Sequence, residues 1–189
     1  MEVTGRWPRQ RIPRPGARLA GAVLLLICGT GALRAGWQEA PLSWPTGLTE
    51  KEVATLQRTT APSAHVEAVL KISALRMDGA LSLARQNRSL EAKEQLSLFV
   101  SLIDYADRYT RALPSTRRKD RDRNLKRIEQ AIFRQNNPLE ALLAELPFEL
   151  REESQPGVDA VRRIRLRAIN DLLGGGRAIT PPEERGKGD

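Results

Sequence analysis

Residues 62–113, PSAHVEAVLKISALRMDGALSLARQNRSLEAKEQLSLFVSLIDYADRYTRAL, decide the fold. Pro62 suits the first turn of a helix, where a missing N–H costs little. On a wheel of 3.6 residues per turn, Val66, Val69, Leu70, Ser73, Met77, Ala80, Leu81 and Ala84 share one face. The polar break Gln86-Asn87-Arg88 ends that helix, and Ser89 is a good N-cap for the next. The second stripe holds Ala92, Leu96, Phe99, Val100, Ile103, Ala106 and Leu113, and Pro114 closes it. Two amphipathic helices separated by a break this short predict an antiparallel hairpin.

Toward the C-terminus, Ser115 starts a fourth helix whose apolar residues, Leu125, Ile128 and Ile132, come late. Asn137-Pro138-Leu139-Glu140 combines an N-cap, a proline at N1 and an acid at N3, so a helix restart is expected there. Leu139, Leu142, Leu143 and Leu146 follow at helical spacing before Pro147. A last helix is expected from Pro156 to Leu173, with Val158, Val161, Ala168, Ile169 and Leu172 on one face and Gly174-Gly175-Gly176 stopping it. The remainder, to residue 189, carries Pro181-Pro182 and scattered charge and reads as a disordered tail.

Toward the N-terminus, residues 36–48 (GWQEAPLSWPTGL) read as an extended linker. Thr49-Glu50-Lys51-Glu52 then fits a capping box, opening a short helix to about Arg58. No apolar–polar alternation is long enough for a strand. The expected fold is therefore all-α: a single bundle of antiparallel helix hairpins over 62–173, about five to six helices in all, preceded by a linker with a short helix at 36–61.

The first 35 residues have a different logic. Arg6, Arg9, Arg11, Arg14 and Arg18 face one acid, Glu2. The apolar run LAGAVLLLI (19–27) and the small residues Gly29-Thr30-Gly31-Ala32 follow. Basic, apolar, small is the order of a secretory signal, with cleavage expected after Ala32 or Ala35. The alternatives are an uncleaved N-terminal anchor, or lipidation at Cys28, which the bulky Ile27 before it opposes. The formal charge of the whole chain is +8; without this segment 25 of the 31 bases and 22 of the 23 acids remain, about +3. The basic balance thus reflects targeting as much as nucleic-acid affinity, and no genomic DNA partner is expected of an exported chain. Cys28 is the only cysteine, so the mature chain has no disulfide, no cysteine zinc site and no cysteine nucleophile.

The hairpin at 66–106 is similar to a tetratricopeptide unit: Ala80-Leu81, Ala84, Ala92, Leu96 and Ala106 let two helices approach closely. No second copy is visible at a spacing of about 34 residues. Leu48-Thr49-Glu50 resembles the Leu-Thr motif of periplasmic stress-response helical proteins, with Glu52 where they carry glutamine. More broadly, the chain resembles exported bacterial helical-hairpin, tetratricopeptide-like proteins of unknown function. That resemblance implies an architecture and no activity.

Three residues could carry chemistry. His65 is the only histidine. Asp107 falls on an apolar stripe and, in an antiparallel hairpin, lies about level with residue 68, within reach of His65 or Lys71. A His–Asp pair could move protons; the structural reading, a half-buried carboxylate paired with a base, is preferred. Arg165 also lies on an apolar face and needs a carboxylate, with Asp107 and Asp104 as candidates. No serine elbow, glycine-rich phosphate loop or acid cluster accompanies them, and no cofactor or metal is expected.

The fourth helix begins with seven bases and two acids over 117–127. Lys119, Arg123, Lys126, Arg127 and Arg134 form a stripe opposite Leu125, Ile128 and Ile132. Such a stripe is a solvated face or a contact for polyanions and lipid headgroups. Arg162, Arg163, Arg165 and Arg167 extend it if the last two helices are neighbours. The functional expectation is a non-enzymatic protein–protein interaction or scaffold module, periplasmic or extracellular, in the bacterial cell envelope. Binding of an anionic envelope polymer or lipid headgroup through the stripe is the second reading.

Overall fold

The computed structural model describes residues 42–174. The expected signal segment at 1–35, the start of the linker and the tail from 175 lie outside the described residues. The protein is an all-α helical bundle with five α-helices among the described residues: α1 (Glu50–Arg58), α2 (Pro62–Arg85), α3 (Ser89–Arg111), α4 (Arg118–Glu145) and α5 (Phe148–Leu172), with a 3-10 turn at Ser115–Arg117.

Local signals place most of the ends. The capping box forms as expected: Glu52 N–H donates to Thr49 Oγ1 at 3.3 Å, and Thr49 N–H donates to Glu52 Oε2 at 2.8 Å. The Glu52 carboxylate also pairs with Arg76 of α2, so one side chain caps α1 and ties it to the bundle. Pro62 opens α2. At its far end Asn87 takes a left-handed φ of 60°. Asn87 N–H reaches Ala84 O at 2.9 Å and Arg88 N–H reaches Leu83 O at 3.0 Å, which closes α2 as a Schellman motif. That turn shifts the expected cap of α3 by one residue. Arg88, not Ser89, is the N-cap, and its carbonyl accepts from Ala92 N–H at 3.0 Å.

Two expectations fail at prolines. The restart at Asn137-Pro138 does not occur, and α4 runs unbroken through Pro138. Likewise α5 starts at Phe148 and passes through Pro156 rather than starting there. An interior proline costs a helix about 3 kcal/mol. The buried residues Leu125, Ile128 and Ile132 before Pro138 and Leu139, Leu142 and Leu143 after it outweigh that cost when they stay on one continuous face.

The segment read as a linker also has a role in the core. Leu42, Trp44 and Leu48 lie against it, and Leu56 of α1 is buried within it. Gly47, with φ of 93°, lets this strap turn beneath Leu98, whose Cδ2 stands 3.7 Å from where a Cβ would be.

The hairpins α2/α3 and α4/α5 pack side by side in the same sense. Lys93 pairs with Glu153, Asp107 with Arg167 and Arg111 with Asp171, so α3 and α5 run parallel. Gly157 keeps that approach close, since a Cβ there would meet Val100 at 3.4 Å. Ser63 and Glu67 of α2 contact Arg127 of α4, while Ala74 shares a groove with Arg134 and Gln135, so α2 and α4 also run parallel. A displacement of 59 residues carries buried Val66, Val69, Ser73, Ala80 and Ala84 onto buried Leu125, Ile128, Ile132, Leu139 and Leu143. A displacement of 62 likewise carries buried Ala92, Leu96, Phe99, Leu102 and Ala106 of α3 onto buried Ser154, Val158, Val161, Ile164 and Ala168 of α5, so the second hairpin repeats the burial pattern of the first at a spacing well beyond the one inspected in the sequence.

Candidate functional site

His65 is 4% exposed. Thr59 has one hydroxyl proton, and Thr59 Oγ1 donates it to Leu56 O at 2.6 Å. Its contact with His65 Nδ1 at 3.0 Å must therefore be an N–H donated by the ring. That leaves Nε2 with a lone pair, which accepts from Tyr105 Oη at 3.1 Å. Trp44, Tyr105 and Tyr109 surround the ring, with Tyr109 nearest at a centroid distance of 4.6 Å. Burial holds the imidazole below its ordinary range, opposed by the Leu56 and Thr59 backbone. Burial also pushes the Tyr105 hydroxyl up to about 12 and raises Tyr109. The imidazole is neutral with both nitrogens engaged, which leaves it no free base position.

Asp107 does not meet His65 or Lys71. It is 2% exposed and accepts from Arg111 Nε at 3.0 Å and Arg167 Nη2 at 3.2 Å. Burial opposes the charge on Arg111, but Asp107 and Asp171 outweigh it and raise the guanidinium. Helix geometry explains the miss. Tyr105 and Tyr109, four residues apart, share the face toward α2, and Asp107 between them points about 200° away, toward α5. Their i, i+4 spacing was the signal for the partner of His65.

Arg165 takes neither Asp107 nor Asp104. Its Nε donates to Glu129 Oε1 at 3.1 Å and its guanidinium lies 4.8 Å from the centroid of Phe133. Asp104 pairs with Arg108 on its own helix. Position 165 faces α4, and position 167 faces α3. Arg162 pairs with Glu140 and Asp159. Of the four α5 arginines proposed to extend the basic stripe, three are therefore held in ion pairs.

The α4 stripe divides as well. Lys119, Arg123, Lys126 and Arg134 are exposed and make no ion pair among the described residues. Arg127 is structural: its Nη1 donates to Ser63 O at 2.8 Å and its Nη2 lies 3.5 Å from Glu67. Beside the stripe, α2 and α4 enclose an open groove of about 360 Å³. Leu70, Ala74 and Ala131 supply its apolar surface, and Glu67, Lys71, Arg127, Gln130, Arg134 and Gln135 its polar one. Lys71 and then Arg127 hold the Glu67 carboxyl below its ordinary range. Sequence reading found the stripe but not the groove, because which helix lies beside α4 is a property of the packing.

Among the described residues, no group of three His, Cys, Asp or Glu side chains could hold a metal ion, and no helix is long and apolar enough to cross a membrane. No family model, no curated protein and no solved structure matches the chain.

Proposed function

We propose that this protein is a non-enzymatic, exported interaction or scaffold module of the bacterial cell envelope that binds a protein partner. Export rests on the basic, apolar and small order of the first 35 residues. The non-enzymatic part rests on how the chemically capable side chains are used. Both nitrogens of His65 are engaged by Thr59 and Tyr105, and Asp107 is held between two arginines.

The observation that carries the interaction reading is the unequal cover of the two hairpins. Helix α1 and the strap at 42–48 cover part of α2/α3. The first hairpin exposes aliphatic Leu75 and Leu90, at 68% and 69%, while the second leaves the aromatic Phe133 and Phe148 61% and 67% exposed, Arg165 lying over one face of Phe133. Large exposed aromatics are typical anchors of protein interfaces. Photocrosslinking in intact cells tests this: benzoylphenylalanine at Phe133 or Phe148 should trap a discrete adduct, and at Ser97 on the outer face of α3 it should not. A chain that traps nothing from any exposed position is not an interaction module.

The second reading, contact with an anionic envelope polymer or lipid headgroup, is favoured by the free cations Lys119, Arg123 and Lys126. Such binding falls steeply with salt. Binding that survives high salt supports an apolar interface instead.

A further inference from the structure

We infer that the groove between α2 and α4 takes an acidic, amphipathic polypeptide segment, apolar on one face, from the partner. This rests on the interaction-module reading and names the chemistry of what is bound.

The parallel packing of α2 and α4 sets three features side by side. The first is an apolar floor of Leu70, Ala74 and Ala131. The second is uncompensated positive charge along one rim. Glu67 is the one acid in the lining, and Lys71 at 3.0 Å and Arg127 at 3.5 Å already neutralise it. Arg134 in the lining has no ion-pair partner among the described residues, and the exposed Lys126, Arg123 and Lys119 continue the same helix face beyond it. The third is Gln135, which lines the groove and whose buried Oε1 has no hydrogen-bond partner among the described residues.

Charge complementarity makes the occupant acidic. The groove makes it a polypeptide rather than a membrane. A headgroup layer can touch the cationic stripe, but it places nothing on an apolar floor between two helices. An amphipathic segment does both, with apolar side chains on the floor and carboxylates along the rim. From Lys119 to Arg134 the stripe spans about 22 Å at 1.5 Å per residue, the length of about four helical turns.

The test uses the full chain and a fluorescein-labelled helical peptide of about 15 residues, with leucines on one face and glutamates flanking them. Anisotropy should show saturable binding that weakens at least about tenfold in the Lys126→Glu/Arg134→Glu variant. Ala74→Phe, which fills the floor without touching charge, should weaken it similarly, with helicity by circular dichroism confirming that each variant is folded. A peptide with lysine in place of each glutamate should not bind. The inference is overturned if the charge-reversed variant binds within about twofold of the parent. It is equally overturned if the lysine peptide binds as well, or if phosphatidylglycerol vesicles bind and the acidic peptide does not. If the peptide fails while Phe133 or Phe148 still crosslinks to a partner, the groove assignment falls and the interaction module stands.

Discussion

The two hairpins bury the same face to different ends. In α2/α3 one buried polar residue, His65, finds Thr59 and Tyr105, and Trp44 and Tyr109 close around it. In α4/α5 the equivalent position is Asn124, fully buried, whose side-chain amide meets no hydrogen-bonding group among the described residues. The first hairpin is partly covered by α1 and the strap. The second carries two interior prolines, a set of arginine ion pairs and open aromatics. One burial pattern thus supports a more covered half and a half with exposed aromatics, the half we propose for partner contact. Stability should be concentrated in the first, and tolerance to change in the second.

Truncating matched core residues should break the symmetry most. Phe99 is fully buried, so Phe99→Ala should cost about 3–5 kcal/mol in urea titration. Its counterpart Val161 loses two buried methyl groups in Val161→Ala, about 1.6 kcal/mol. Equal losses would mean that the hairpins do not divide stability as argued. Next in size are the prolines. Pro138→Ala restores a helical hydrogen bond and relieves a clash, and should raise stability by about 1–2 kcal/mol, less than the full proline penalty because the unfolded chain also gains freedom. A loss of stability would show that α4 needs its proline.

The first hairpin also carries a pH signature. Burial lowers the His65 pKa below its ordinary 6.5. The stability this neutral ring supports is complete above about pH 6.5 and is lost as pH falls from there through the folded-state value. Glu52 and Glu67, lowered from 4.5, add their own losses only at more acid pH. Urea midpoints should therefore fall as the pH drops below about 6.5 in the parent. In His65→Gln that slope should vanish; an unchanged slope would assign it to another group.

The smallest effects separate the stripe. Replacing Lys119, Arg123 and Lys126 with Gln should move stability by no more than about 0.5 kcal/mol, since exposed charges contribute little. Arg127→Gln alone should cost about 1 kcal/mol, because it removes a charged hydrogen bond to Ser63 from a partly exposed site. Equal tolerance at all four positions would show Arg127 to be as dispensable as its neighbours.

Much of this was legible in residues that act locally. Thr49 and Glu52 announce α1, Pro62 announces α2, and the Gln86-Asn87-Arg88 break announces the hairpin. Local rules misled at Pro138, where buried residues on both sides hold one continuous face, and at Pro156, which lies inside a helix already begun at Phe148. Partners across helices were harder. The stripe placed Asp107 on a buried face but could not say that the face meets Arg167 rather than His65. That choice depends on α5 running parallel to α3, which no single segment encodes. The groove beside the stripe was hidden for the same reason.

The parallel stacking of the hairpins is therefore the claim on which the ion pairs, the groove and its occupant all depend. It can be measured directly in a Cys28→Ser background, where no other cysteine competes. Lys93→Cys with Glu153→Cys, and separately Arg111→Cys with Asp171→Cys, should each be joined by a short bismaleimide in the native protein, because both pairs are in contact. Lys93→Cys with Asp171→Cys should not react, since those positions lie at opposite ends of parallel helices. Crosslinking of that last pair, with the first two silent, would mean antiparallel packing and would contradict the account.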